Sequence, residues 1–288
     1  IGGFRHDDMN VSPPEGMWTN PQMSNTDGLD YAEKAPAIIV RVGRGGRRQN
    51  GALSPDGALT WAPFRNEPAG IRGAGSIAIS ADGQAILWAP DGAAVSVSHD
   101  HGLTWTASAG LAGGRIAVVS DRVKADTFYA RSGDRLFVST DAGATFAPVG
   151  TLPGGARQLK ATPDHAGDLW LTAGSNGVYH STDGGAHFTQ VGNVPDAQGF
   201  GFGKAAPGQT YPALYLTGQT RNGESGVFRS DDAGQTWHRL NDSMHQYGYS
   251  GQVVTGDMRI YGRVYMGSNG RGVLYGDPAP GVTVSGGR

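Results

Sequence analysis

An eight-residue pattern, Ser-x-Asp-x-Gly-x-Thr-aromatic, occurs five times in this chain and constrains its fold more than any other feature. Residues 98–105, 139–146 and 230–237 match it in full, residues 181–188 carry His187 in place of Thr, and residues 54–61 carry Ala58 in place of Gly. The five aspartates, Asp56, Asp100, Asp141, Asp183 and Asp232, follow one another at intervals of 44, 41, 42 and 49 residues. A period of roughly 40–50 residues combined with strand patterning predicts an all-β repeat architecture, a β-propeller with one such Asp-box per blade. Each box has a local reason to exist. The Asp carboxylate can accept backbone N–H groups of the turn that follows it, Gly supplies a backbone angle closed to other residues, and the aromatic plugs the space between sheets. The boxes therefore read as structural turns rather than catalytic sites.

Composition agrees with many short strands. The 48 glycines of the 288 residues are spread through the repeats as turn punctuation. A net charge of −2 with 17% charged residues gives no nucleic-acid footprint, and the absence of cysteine removes disulfides, thiol catalysis and thiolate metal sites. No apolar run is long enough to span a bilayer, and no stretch beyond about ten residues has helical periodicity. No His pair at metal-ligand spacing and no Gly-rich phosphate loop is present, so neither metal nor cofactor is expected.

In order along the chain, Gly2-Gly3-Phe4-Arg5-His6 aligns with Ser175-Asn176-Gly177-Val178-Tyr179-His180 and is expected to be a third strand, with the chain opening in mid-blade. A long polar loop with Trp18 and Tyr31 follows. Five blades are expected next, then three strands of a sixth unit that lacks a box, giving five to six blades within residues 1–278 and a Pro/Gly/Ser-rich linker at 279–288. Open strand edges require completion, so upstream residues are expected to finish the domain.

On a propeller, the turns between second and third strands and the links between blades share one face, and the boxes occupy the other. This selects residues 15–34 (Trp18, Asn20, Asp27, Asp30, Tyr31, Glu33), the hairpins at 44–48, Asn176, 221–224 and 269–271, and the loop 245–249 with Tyr247 and Tyr249. Rings among amides and guanidinium groups suit a carbohydrate, whose apolar faces stack while its hydroxyls take hydrogen bonds. The plainer reading of the aromatics is packing. Trp88 and Trp170, inside apolar strands, are assigned to the core. Asp7, Asp8, Asp27, Asp30 and Glu33 are the carboxylates nearest the expected face, and glycosidic cleavage needs two of them flanking the bond.

Two segments carry a resemblance. Ile1-Gly2-Gly3-Phe4-Arg5-His6-Asp7-Asp8 with Gly16-Met17-Trp18-Thr19-Asn20-Pro21 and Leu29-Asp30-Tyr31-Ala32-Glu33, and His245-Gln246-Tyr247-Gly248 with the run from Tyr261 to Gly272, resemble the second propeller of glycoside hydrolase family 74. The resemblance implies a secreted, inverting endo-β-1,4-glucanase acting on xyloglucan, with two seven-bladed propellers gripping the polysaccharide and one catalytic Asp from each. In the family pattern the general acid directly precedes Ile-Gly-Gly-Phe-Arg-His. The resemblance thus implies no catalytic residue within this chain, an acid immediately before Ile1, and a base on a preceding propeller. The residues expected to bind substrate are Arg5, His6, Trp18, Asn20, Tyr31, Tyr247, Tyr249, Asn269 and Arg271. A non-catalytic box-propeller of the sortilin or assembly-factor kind is the alternative. A sialidase is disfavoured because Phe4-Arg5-His6-Asp7 lacks the Pro expected two residues after the Arg.

Overall fold

The structure, a computed structural model, describes residues 2–46, 49–245, 253–268 and 272–278. Among these residues there are strands and no helix. The first sheet is an antiparallel meander of β1 (Met23–Ala32), β2 (Ala35–Gly45), β3 (Gly51–Ser54) and β4 (Ala62–Pro63). The second follows as β5 (Gly73–Ile79), β6 (Ile86–Asp91), β7 (Ser96–Ser98) and β8 (Thr106–Ala107). The third is β9 (Ile116–Ser120), β10 (Phe128–Ser132), β11 (Arg135–Ser139) and β12 (Ala147–Thr151). The fourth comprises β13 (Gln158–Ala161), β14 (Leu169–Thr172), β15 (Val178–Ser181) and β16 (Thr189–Gln190). The fifth comprises β17 (Asp196–Gly203), β18 (Ala213–Gln219), β19 (Ser225–Ser230) and β20 (His238–Arg239). A three-stranded sheet of β21 (Val254–Gly256), β22 (Val264–Ser268) and β23 (Gly272–Gly276) ends the described chain.

Two expectations fail here. Residues 23–32 are strand β1, not loop, and β1 pairs with β2 from Met23↔Gly45 to Ala32↔Ala35. Its interior, Ser24-Asn25-Thr26-Asp27-Gly28, is polar, and the fully buried apolar anchors Met23 and Ala32 lie at its two ends, so no apolar alternation marks it. Residues 2–6 form no strand, because a strand exists only through a backbone-paired neighbour and none of the described strands pairs with them.

The chain divides into two compact units. The first takes Ile1–Leu152, Ala161–Leu169 and Ser181–Phe188, and the second takes Pro153–Lys160, Trp170–His180 and Thr189–Arg288. In the first unit, the run Ile86-Leu87-Trp88-Ala89 on β6 is buried throughout. Alternate residues serve two different cores. Ile86 and Trp88 join Val40 and Val42 of the first sheet and Ile77 of their own, while Leu87 and Ala89 join Val97, Val118, Phe128 and Phe146. A strand covered on both faces needs no polar alternation, which is why this stretch reads as continuously apolar. In the second unit Trp170 stacks on Phe200 at 5.3 Å within a cluster that includes Val178, Leu214, Leu216 and Phe228. Trp88 and Trp170 are both core.

The boxes close the β3–β4 type turns by one repeated network. In the second copy Ser98 Oγ donates to Asp100 Oδ1 (2.8 Å) and accepts the Gly102 amide (2.8 Å), while the Thr104 amide and hydroxyl donate to Asp100 Oδ1 (2.8 Å) and Oδ2 (2.5 Å). At 181–188 the His187 ring replaces the hydroxyl, with Nδ1 2.7 Å from Asp183 Oδ2. Two consecutive residues in each box are left-handed, as at His101 (φ 56°) and Gly102 (φ 85°). A Cβ on Gly102 would sit 2.3 Å from the Phe64 ring. The Asp carboxylates are thus committed to their own turns. Asp100 and Asp141 are held down to about 2, chiefly by the Thr104 and Thr145 hydroxyls.

Candidate functional site

The strand directions define the two ends of each sheet. In the first sheet the β1–β2 turn and the box share one end, since the Gly57 amide donates to Ala37 O at 2.8 Å, and the β2–β3 hairpin lies at the other. The hairpin end of the first unit carries a cleft of about 790 Å³ lined by Met17, Thr19, Gln22, Met23, Ser24, Arg44, Gly45, Gly46 and Gln49. Its lining combines amides, hydroxyls and one guanidinium with the thioethers of Met17 and Met23. Such a surface offers donors and acceptors without fixed negative charge, which suits polyhydroxylated ligands. A smaller hollow of about 450 Å³ opens at the same end between residues 91–95 and 108–116, walled mostly by Ala and Gly.

Beneath the first cleft, residues 2–3 and 17–21 are fastened to the first sheet. Arg41 on β2 is fully buried, and its two terminal nitrogens donate to Gly2 O and Pro21 O, both at 2.8 Å. Its guanidinium packs against the rings of both Trp18 (4.9 Å) and Trp61 (4.5 Å), which also touch each other with centroids 5.0 Å apart. Thr26 Oγ1 also donates to Gly2 O at 2.8 Å, and the Trp18 amide donates to Gly3 O at 3.0 Å. A Cβ on Gly2 would meet Met23 O at 2.7 Å and one on Gly3 would meet the Trp18 ring at 2.4 Å, so the Gly-Gly pair is required by close approach. Burial without a carboxylate partner pushes the Arg41 guanidinium down to about 10.

The residues assigned to substrate from sequence separate under this geometry. Trp18 is half-buried against Arg41 and Trp61 and does not line the cleft, while its neighbours Met17 and Thr19 do. Asn20 is exposed on the same segment, its amide donating to Trp61 O at 3.0 Å. Arg5 is half-exposed and paired with Asp7 at 2.6 Å, and His6 is exposed. Asp7 and Asp8 are both exposed, and they do not end a strand. Tyr247, Tyr249, Asn269 and Arg271 lie outside the described residues. Just before that loop, Asp242 Oδ1 accepts the His245 amide (2.8 Å) and lies 2.7 Å from His245 Nδ1.

Tyr31 is a correction. It sits at the end of β1 beside the β1–β2 turn, at the box end, so it cannot share a surface with the hairpin-end cleft. There Asp30, 7% exposed, accepts the Ile79 amide (2.9 Å) and pairs with Arg122 (2.7 Å), and Arg122 also donates to Tyr31 O (3.0 Å). Burial pushes the Tyr31 phenol up to about 12, and burial likewise raises Glu33, whose Oε2 is enclosed without a hydrogen-bond partner. Asp30 and Glu33 belong to this internal network and are not carboxylates of the candidate face. Sequence reasoning missed Gln22, Ser24 and Gln49. Their only signal was a position beside a strand and hairpin, and the strand itself was unmarked.

A BNR/Asp-box repeat model matches residues 228–239, the last box and its outer strand. A xyloglucanase of Paenibacillus sp is 42% identical over 98% of this chain and 28% of its own length. A probable oligoxyloglucan-reducing end-specific xyloglucanase of Neosartorya fischeri is 38% identical over 98% of this chain and 38% of its own. The crystal structure of the GH74 xyloglucanase from Xanthomonas campestris matches with a TM-score of 0.86 and 38% identity, covering 96% of this chain and 40% of that one. The chain is a glycoside hydrolase family 74 relative. Its sheets are blades of a β-propeller with Asp-box repeats, as the sequence period predicts. The chain spans between 28% and 38% of the length of these two curated family relatives.

Proposed function

We propose that this chain is the general-acid-side, substrate-binding propeller of a secreted, inverting xyloglucan endo-β-1,4-glucanase, seven-bladed when complete and preceded by a second propeller. The observation that carries the reading is the similarity to xyloglucanases along nearly the whole chain, including both end segments. The hairpin-end cleft supports it by offering a polar wall without carboxylates, on which Gln22, Ser24, Arg44 and Gln49 can take sugar hydroxyls. In this reading the aspartate expected immediately before Ile1 gives its proton to the glycosidic oxygen as the C1–O bond breaks. A carboxylate of the preceding propeller takes a proton from the water that adds to C1 from the opposite face.

The test uses xyloglucan and two proteins. The full-length protein is expected to cleave the polysaccharide, and product sizes separate internal from chain-end attack. Purified 1–288 is expected to bind xyloglucan without cleaving it, with affinity reduced by Arg44→Ala and Gln49→Ala. Cleavage by purified 1–288 would refute the assignment of the catalytic pair, and absence of both binding and full-length cleavage would refute the carbohydrate reading.

A further inference from the structure

The hollow between residues 91–95 and 108–116 of the first unit is space that its own repeat shows how to fill. Gaps between sheets close to near-solid packing wherever side chains are supplied. One sheet earlier, the link from β4 to β5 buries Phe64 and packs Ile71 onto the cluster that holds Trp88. The link from β8 to β9 gives Leu111 to the neighbouring cluster and then runs Ala112-Gly113-Gly114. A Cβ on either of these glycines would meet nothing within 4 Å. The opening that remains is about 450 Å³, within the range of small-ligand sites.

Its lining is apolar below and charged at the mouth. Val95 and Ile116 are buried in the core beneath it, and Leu111 packs against the same cluster. Asp91 is the only carboxylate of the lining. Leu87 and Ala89 of β6 face this core, and the two-residue period of a strand sets Asp91 on the same side. Its carboxylate lies against the bare Cα of Gly73, where a Cβ would meet Asp91 Oδ2 at 2.7 Å. No described residue pairs with that carboxylate or donates a hydrogen bond to it. The Ser108 hydroxyl, by contrast, is committed to Gly143 O at 2.6 Å.

An exposed aspartate by itself needs nothing but water. Here it stands over an aliphatic floor, so a ligand that fits has to cover that floor and still offer donors at one rim. A wholly apolar group would strip water from the carboxylate and return no hydrogen bond. An anionic group would meet Asp91 as a like charge. A neutral pyranose satisfies both demands, with a C–H face for Val95 and Leu111 and adjacent hydroxyls for the two carboxylate oxygens. The hollow opens at the same end of the first unit as the larger cleft, which belongs to the first sheet.

We propose that the hollow is a second carbohydrate site, which seats one neutral pyranose of a glycan branch with Asp91 accepting two of its hydroxyls. This rests on the glycan reading of the larger cleft and adds a residue that selects branched over unbranched chains.

The experiment measures calorimetric binding of two ligands to the full-length protein. One is a xylose-branched β-1,4-glucan oligosaccharide and the other its unbranched counterpart, both with sulfur in place of the backbone glycosidic oxygens so that neither is cleaved. The wild-type protein is expected to bind the branched ligand at least about 10-fold more tightly. Asp91→Ala is expected to weaken binding of the branched ligand about 10-fold, the scale of a hydrogen bond to a charged group, and of the unbranched ligand less than about twofold. Ala94→Phe fills the hollow and leaves Asp91 in place, and the same selective loss is expected; it serves if Asp91→Ala fails to fold. Equal wild-type affinity for the two ligands, equal losses on both, or no loss in either variant would overturn the branch site while leaving the glycan reading standing. A wild-type protein that binds neither ligand would bring down the glycan reading and the branch site together.

Discussion

Gly102→Ala isolates what the box glycine contributes. Gly102 has φ 85°, so any L side chain there carries the left-handed backbone penalty of about 1–2 kcal/mol. The added Cβ would also lie 2.3 Å from Phe64 Cδ1, 2.7 Å from Cγ and 3.0 Å from Cβ. Phe64 cannot retreat easily. Its ring is 5.8 Å from Trp88 and 5.3 Å from Trp105, and those two rings are 5.5 Å from each other. Overpacking a closed cluster costs about 1–3 kcal/mol, so the total is expected at about 2–5 kcal/mol. Gly133→Ala is the control, because Gly133 is also left-handed (φ 61°) but a Cβ there would meet nothing within 4 Å. It should cost the backbone share alone. Urea midpoints followed by tryptophan fluorescence, with the slope required to stay constant, give both values. In a Phe64→Ala background the steric part of the Gly102→Ala cost should vanish, leaving the double variant less destabilised than the sum of the singles. A Gly102→Ala cost within about 0.5 kcal/mol of the Gly133→Ala cost would refute the claim that the box glycine is held by packing as well as by backbone angle.

Glu33→Gln tests the enclosed carboxyl at the box end of the first unit. Burial raises the Glu33 carboxyl in the fold, so the folded protein favours its neutral form, and this stabilisation is present at low pH and lost as pH rises through the folded pKa. The stability of the variant relative to wild type should therefore increase from pH 4 to pH 7 in paired urea titrations, and a flat or falling difference would refute the assignment. Thr104→Val removes the hydroxyl that holds Asp100 down to about 2, and carboxyl carbon NMR should show Asp100 titrating higher, toward the ordinary carboxylate range. With wild-type boxes the sign is opposite to Glu33: the stability they gain from depressed carboxylates is lost as pH falls through the folded values. His187→Thr should leave the box at 181–188 closed, with the threonine hydroxyl taking the place of Nδ1 at Asp183 Oδ2, and near-unchanged melting of the variant checks it.

What the sequence displays and what it hides follow from how each element is held. The boxes are legible because the hydrogen bonds joining their Ser, Asp, Gly and Thr each close within four residues, so a local pattern states that network. Strand β6 is legible because both its faces are buried. Strand β1 is hidden because most of its interior residues are polar and its register is broken by three irregularities. That one omission moved Tyr31, Asp30 and Glu33 to the wrong end of the sheet, since an unmarked strand displaces its C-terminal residues by its own length. A second lock was hidden by scarcity. Asp121 accepts the Val123 and Lys124 amides (2.9 and 2.8 Å) and the Tyr129 hydroxyl (3.2 Å), and Asp257 repeats this with Arg259, Ile260 and Tyr265 (2.7, 3.0 and 2.8 Å). The spacing is the same, but two copies do not stand out as five do.

Arg41 was hidden for a different reason, and it bears on where function resides in this fold. In the sequence it is one cationic residue inside Ile38-Ile39-Val40-Arg41-Val42, a position where a strand pattern predicts an apolar side chain on a covered face. A local rule broken without a local partner points to something distant, here Gly2 at 39 residues and Pro21 at 20 residues along the chain. The boxes, identical in chemistry, hold the blades and distinguish none of them. The first sheet is singled out by the guanidinium that replaces an apolar residue on β2 and by the indole pair around it. A departure from the repeat marks a sheet as different, so under the proposed function the departures, rather than the boxes, are where substitutions should alter glycan binding more than stability.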